Sequence, residues 1–346
     1  MNGQTIVTIV MPVFNGKEKV KCMIDSILLN HYSCWKLLLV DDGSEEETLR
    51  LLQEYEKTDS RIQLICRDCK PKGAQTCRNI GLRMVDTEYV LFFDSDDFVA
   101  DYCLQQRVEA ISHHPDLDFM VFPTGVFING KPHLTYHMQD MGVQLGEDEL
   151  ALLAERFLPF TVWTNIYRTE SLRSLHLEWD TQLQSLQDSA FNLQAITHGM
   201  TFGYSPTSSP DYFYRIDHSS TSIASSIPSN KHRESHFYWL NLTFILLQDF
   251  AGHRYDRSIC RGAIRLYHYY GTNNIDRSFL HGIVNITQQY APFWGRILKS
   301  QALVLIFLSN IIPYKRARQM VFYFYYRHRI RLSLKKRSII CNQRPL

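Results

Sequence analysis

The sequence predicts an α/β fold: a mostly parallel central sheet flanked by helices, followed by a helical C-terminal region. Two observations lead there. Short β-branched and apolar runs alternate with stretches of helical periodicity through the first third of the chain, and such alternation implies βαβ units. The strand-like runs are continuously apolar, as strands covered on both faces are. A third observation locates function. Polar and acidic turns follow those runs, and open α/β sheets bind ligands at the carboxyl ends of their strands.

In order, Thr5–Val13 reads as a buried strand and Lys17–Asn30 as a helix, with Val20, Ile24, Ile27 and Leu28 on one face. Trp35–Val40 is a second strand. Glu45–Lys57 is a helix, with Ser44 as N-cap and Glu47 as its capping-box partner. Arg61–Cys66 is a third strand, Ala74–Val85 a helix and Glu88–Phe93 a fourth strand. Beyond these, Phe119–Pro123, Gly125–Ile128, Val162–Tyr167 and Asp211–Ile216 read as extended, and Glu147–Arg156 and Asp188–Thr197 as helices. The serine-rich segment 217–230 reads as a mobile polar loop. From His232 onward the pattern is helical.

The chain has 346 residues, 45% hydrophobic and 21% charged. That composition is globular, and the length suits about two domains. The expected division is a nucleotide-binding and catalytic domain over 1–220 and a mainly helical region over 221–346. Net charge is +2, yet residues 277–346 hold thirteen Lys/Arg and no acid. The preceding residues therefore carry a net −11 (twenty-four basic against thirty-five acidic). Such asymmetry points to an anionic partner. The eight cysteines are scattered, with one C-x-x-C at Cys66 and Cys69. They read as ordinary thiols of a reducing compartment, not as a zinc or redox site. No signal peptide is expected, and no apolar run approaches the length of a membrane span.

Asp94-Ser95-Asp96 follows the strand ending at Phe93. Two carboxylates at i and i+2 on a turn suit one hard cation, Mg²⁺ or Mn²⁺, which would also take phosphate oxygens. An isolated acidic turn is as readily a solvated loop. Asp41-Asp42-Gly43-Ser44 follows the second strand. One of its carboxylates can accept from a uracil imide or ribose hydroxyls, and the competing reading is an Asx-turn and helix cap.

Four stretches in order resemble glycosyltransferase family 2, which has the GT-A fold. They are Ile9-Val10-Met11-Pro12-Val13-Phe14-Asn15, Val40-Asp41-Asp42-Gly43-Ser44, Lys72-Gly73-Ala74 through Arg78-Asn79-Ile80-Gly81-Leu82, and Phe93-Asp94-Ser95-Asp96-Asp97. The resemblance covers residues 8–105 and is of the bacterial polysaccharide and lipopolysaccharide type. It implies that Pro12, Val13, Phe14 and Asn15 border the nucleobase, with Phe14 available for stacking. It implies that Asp42 accepts the uracil N–H and that Asp96 is the main metal ligand. Asp94 and Ser95 would lie by the ribose and sugar, and Arg78 would reach the diphosphate or base. The turn Asp68–Gly73 departs from the family's Asn-Gly-Gly type, which bears on local loop geometry.

The resemblance also implies an inverting transfer, whose base closes a Glu-Asp pair after a Trp-x-x-x-Tyr-Arg segment. Trp163 to Arg168 matches the lead-in and the pair is Gln187-Asp188, so Asp188 is the candidate base. Asp180 and Asp97 compete. Replacing Glu by Gln removes a like charge and should leave Asp188 less elevated in pKa. Arg215 or His218, in a segment that resembles the strand and loop of bacterial members, would help the pyrophosphate or metal once the loop closes.

The tail mixes Phe293, Trp294, the run Leu303–Leu308 and the block Phe322–Tyr326 with Lys315, Arg316, Arg327, Arg331 and other bases. That pattern describes helices in an anionic membrane interface. The acceptor would then be a glycan or lipid-linked glycan at the cytoplasmic face of the cell membrane. Simple packing on the body competes with that reading. Nucleic-acid binding does not, because no such module is visible. A non-catalytic nucleotide-sugar or glycan binder is the alternative of another class.

Overall fold

The computed structural model describes residues 6–128, 131–133, 141–216, 230–270 and 275–343. Two half-units open the chain. The first runs β1 (Val7–Val13), α1 (Lys17–Leu28), β2 (Trp35–Asp41), α2 (Glu46–Thr58) and β3 (Ile62–Cys66). The second runs α3 (Ala74–Met84), β4 (Tyr89–Phe92), β5 (Phe98–Val99), α4 (Cys103–Ser112) and β6 (Phe119–Val121). There follow β7 (Thr124–Ile128), β8 (Lys131–His133), α5 (Glu149–Ala154), β9 (Asn165–Arg168), α6 (Thr169–Ser174), α7 (Gln187–Thr197), β10 (Phe202–Tyr204) and β11 (Tyr212–Ile216).

β1 is fully buried and central, parallel to β2 on one side and β4 on the other. The seven-stranded sheet runs β10-β6-β9-β4-β1-β2-β3. Only β9 is antiparallel to its neighbours. The predicted parallel core is therefore present, and the covered, continuously apolar strands are its cause. Pro12 lies past Val10, the last β1 residue paired with β4, so its missing N–H costs no ladder bond on that side. A second sheet, β5-β11-β7-β8, was not expected from the sequence. Its strands are short, and β5 has two residues, too few to show a period.

α3 packs on β1 at unusually close range. A Cβ on Gly81 would meet Val10 Cγ1 at 2.4 Å. Gly81→Ala is therefore expected to destabilise by about 1–3 kcal/mol through overpacking, read as a lower urea midpoint with unchanged slope.

Two local expectations change. Ser44 does not cap α2. Glu45 holds the N-cap position and no side chain bonds there. The Ser44 hydroxyl instead accepts from Asn15 N at 2.8 Å, and Glu47 pairs with Lys17. Residues Val162–Thr164 form a turn of 3₁₀ helix before β9, not an extended run. Segment 217–229, with His218 and almost all of the expected loop, lies outside the described residues.

The C-terminal region is helical as expected: α8 (Asn230–Ala251), α9 (Asp256–Tyr270), α10 (Arg277–Tyr290), α11 (Pro292–Ser309), α12 (Tyr314–Val321) and α13 (Tyr323–Gln343). One hydrophobic core runs from Val7 in β1 to Tyr325 in α13. A smaller cluster joins Leu145, Leu152 and Phe157 to Leu332. Polar clasps reinforce it. Glu155 accepts from Arg261 at 2.8 Å and pairs with His328 at 2.7 Å, and Lys335 reaches Glu147 at 2.8 Å. Among the described residues, no helix is long and apolar enough to cross a membrane.

Candidate active site

The carboxyl ends of β1, β2 and β4 converge as the strand order requires. At β1, Asn15 takes a positive φ of 55°. Its side chain accepts from Glu45 N at 2.8 Å, tying the β1 turn to the start of α2. Pro12 and Val13 are buried, whereas Phe14 is 52% exposed. The Lys72 ammonium sits over the Phe14 ring at 3.5 Å from its centroid. An exposed ring with a cation on its face suits a stacking platform beside an anionic ligand.

At β2, the two carboxylates have separate tasks. Asp41 folds back on the turn, accepting from Gly43 N at 3.0 Å and from Ser44 N. Gly43 has φ 85°, a left-handed conformation that glycine adopts without strain. Asp42 is buried, and its Oδ1 accepts from Arg67 Nε and, at 3.2 Å, from Gly73 N. Oδ2 makes none of these bonds. Arg67 was missed in the sequence. It lies one residue past β3, and only the sheet register brings it to Asp42.

At β4, Asp94, half-buried Ser95, Asp96 and Asp97 form the turn. Asp97 is buried and serves the turn itself: the Tyr212 hydroxyl donates to it at 2.5 Å and Arg215 N at 2.7 Å. The same hydroxyl accepts from Asp94 N at 3.2 Å. Burial raises the Asp97 carboxyl well above its ordinary range, with Asp96 and Asp94 adding to the shift. Asp96 keeps an exposed surface yet has enough protein around it to be desolvated. That desolvation raises its carboxyl, and Asp94 adds repulsion. Arg215 Nε donates to the Asp96 carbonyl at 2.6 Å, so this residue braces the turn's backbone.

The fourth contribution comes from α7 and is positioned by α3. Three buried polar side chains of α3 grip the segment before α7. Gln75 donates to Leu183 O at 2.6 Å, and Asn79 exchanges bonds of 2.9 and 2.7 Å with Trp179. Arg78, buried over the Trp179 ring, bonds Asp94 at 2.5 Å and Gln187 Oε1 at 3.2 Å. Arg78 is therefore engaged between two acidic elements, one of them Asp188 in the first turn of α7. The Asp188 carboxyl is raised to about 6, first by desolvation and then by Asp94, against the lowering pull of Arg78. Desolvation, not the identity of residue 187, is the leading cause of that elevation.

The competing acids sit differently. Asp180 receives the Tyr238 hydroxyl of α8 at 2.7 Å and Gln182 N at 2.9 Å. Asp97 is used within its turn. Asp188 is the acid left facing Asp94 and Arg78.

The donor chemistry fits a divalent cation. Asp94 and Asp96 offer hard oxygens on one turn, and their mutual repulsion is the kind a cation relieves. Among the described residues no three His, Cys, Asp or Glu side chains form a metal cage. Cys66 and Cys69 are free and exposed.

The sequence matches the family model described as glycosyl transferase family 2 over residues 8–175. The chain is 26% identical over 197 residues to "Uncharacterized glycosyltransferase EpsJ" of Bacillus subtilis, covering 55% of this chain and 56% of the relative. It is 36% identical over 92 residues to "UDP-Glc:alpha-D-GlcNAc-diphosphoundecaprenol beta-1,3-glucosyltransferase WfgD" of Escherichia coli, covering 27% of this chain and 35% of the relative. These alignments span little more than half of the relatives' lengths, or less. The structure superimposes on S. aureus TarS 1-349 in complex with UDP-GlcNAc with a TM-score of 0.66 at 17% identity, over 93% of this chain and 92% of that one. That likeness establishes the shared GT-A fold, helical C-terminal region included.

Proposed function

Because residues 8–175 belong to glycosyltransferase family 2, we propose that the chain is an inverting, metal-dependent transferase that moves a sugar from a UDP-sugar to an acceptor hydroxyl. The acceptor is a glycan or lipid-linked glycan of a cell-surface polysaccharide, met at the cytoplasmic face of an anionic membrane. The observation that carries the reading is that Arg78 engages both Asp94 and Asp188, with Asp96 beside Asp94 on the β4 turn and Asp42 just past the end of β2.

Asp42 Oδ2 accepts the uracil N–H, and the base stacks on Phe14, either opposite Lys72 or in its place. Asp94 and Asp96 hold Mg²⁺ or Mn²⁺, which when bound neutralises the diphosphate. Arg78 holds Asp94 in place and keeps it from repelling Asp188 in full. Asp188, raised to about 6, is mostly ionised at pH 7 and sits close to the optimum for a general base. It takes the proton of the acceptor hydroxyl as that oxygen bonds to the anomeric carbon. The bond from the anomeric carbon to the diphosphate oxygen breaks on the opposite face, and the nucleoside diphosphate leaves with its electron pair. Arg215 acts on the diphosphate side from the turn it braces.

A thermal-shift screen of UDP-, GDP- and dTDP-sugars with and without Mn²⁺ tests this. A donor at a hundred times its Kd adds about 2.7 kcal/mol to the folded state. The expected result is a Mn²⁺-dependent rise with a UDP-sugar that Asp96→Ala abolishes. No rise with any donor, from well-folded protein, refutes the transferase reading in favour of a binder of another ligand.

A further inference from the structure

The last helices expose apolar side chains where a packed bundle ordinarily turns polar ones outward. Among the described residues seventeen large hydrophobic side chains are exposed, and ten of them lie between Phe293 and Leu334. On α11, Phe293, Leu303, Val304 and Phe307 recur at helical spacing on the outward side, while Leu298, Ala302 and Leu305 face the core. After Pro313 the pattern persists. Met320, Tyr323, Phe324, Ile330 and Leu334 are exposed, and Phe322, Tyr325, Leu332 and Ile340 are buried. Both sides of α13 are thus apolar, but the outer side alone is interleaved with exposed Arg327, Arg331 and Arg337. Lys315 and Arg316 extend that side toward α11. Gln319, Tyr323, Tyr326, Arg327 and Ile330 line a shallow groove of about 370 Å³ on it. No acid occurs after Asp276.

We propose that the outward faces of α11, α12 and α13 form one seat for an anionic phospholipid surface, with Phe307, Met320 and Phe324 entering the acyl boundary and Lys315, Arg316, Arg327 and Arg337 meeting the phosphates. The proposal rests on the membrane-side acceptor reading and gives it a surface. Charge complementarity selects the occupant. A purely apolar partner would offer Arg316, Arg327 and Arg337 no counter-charge, whereas an anionic headgroup layer supplies it at the depth where aromatic rings reside. The clasps at Glu147 and Glu155 hold α13 on the body, so the seat is presented preformed.

Full-length protein is sedimented with vesicles of phosphatidylcholine alone and of phosphatidylcholine mixed with phosphatidylglycerol. Binding to the mixed vesicles only, falling with added salt, is the expected result. Arg316→Gln/Arg327→Gln/Arg337→Gln should weaken partitioning about a hundredfold, about fivefold for each charge. Met320→Glu/Phe324→Glu should abolish it, with an unchanged circular dichroism spectrum and melting curve showing that the exposed changes leave the fold intact. Absence of binding to mixed vesicles, or equal binding to both kinds, overturns the proposal. So does a concentration-dependent dimer that Met320→Glu/Phe324→Glu disrupts, which would assign the face to a second copy. The assay contains no donor, so its failure leaves the donor-site reading standing, and a failed donor screen leaves this surface standing.

Discussion

Asp188→Asn lowers kcat by roughly a hundred- to ten-thousandfold, the usual contribution of a positioned general base, while the UDP-sugar thermal shift persists. The loss falls on kcat because the amide keeps the shape of the site but cannot accept the proton. The pH profile supplies a readout that a merely structural role would not move. A base must be ionised to act, and the Asp188 carboxyl titrates at about 6. The rate should therefore rise through about pH 6 and level off above it, and the variant should lack that limb. Gln187→Glu restores a like charge next to Asp188 and should carry the limb to higher pH. The stability sign runs the other way. A carboxyl whose folded pKa lies above its unfolded value of 3.8 costs stability once the pH exceeds that unfolded value. Asp188→Asn is thus expected to melt no lower than the parent at neutral pH. A variant with parental kcat would move the base elsewhere.

Arg107→Ala is expected to cost roughly 3–5 kcal/mol, because it strips the partner from a fully buried charge. Arg107 of α4 and Asp211, just before β11, are both 0% exposed and joined by bonds of 2.9 and 2.7 Å. Arg107 also donates to Trp163 O at 2.9 Å, and the Trp163 ring stacks on Tyr212 at 4.9 Å. Tyr212 in turn holds the Asp94–Asp97 turn. The pair therefore fixes the Asp94–Asp97 turn from more than one element away. Arg107→Lys should recover little, since an ammonium cannot reproduce the forked donors. Arg107→Met/Asp211→Leu should recover much of the stability, since no charge is then left unpaired. Urea midpoints measure the first effect, and the donor-induced thermal shift of each folded variant measures the second. Equal stability of Arg107→Ala and the parent would show that the pair contributes nothing net.

What could be read beforehand follows from the range of the forces involved. β1, β2, β4 and α1 to α3 declared themselves because burial on both sides writes long apolar runs, and helical spacing is local, while the edge strand β3 followed from its place between two helices. The acidic turns followed from strand polarity alone. Arg67 beside Asp42, Lys72 on Phe14 and the Tyr212 hydroxyl between Asp94 and Asp97 did not, since each is a side-chain meeting across distant segments. Arg78 stood out in the sequence as a candidate, but its engagement with both Asp94 and Gln187 did not. Ser44 misled because its composition suits a helix cap, and tertiary structure gave its hydroxyl to Asn15 instead. β5 and β8 are too short for any periodicity to show.

The unbroken core described above also bears on heredity. Leu298, Leu305, Leu332 and Ile340 are buried against the rest of the chain, so a gene shortened before Trp294 would lay bare Leu145, Leu152 and Phe157 as well as remove a tail. Recombination that joined this catalytic half to a foreign C-terminal half would need matching apolar contours on both sides at once. The two halves are consequently constrained to be inherited together.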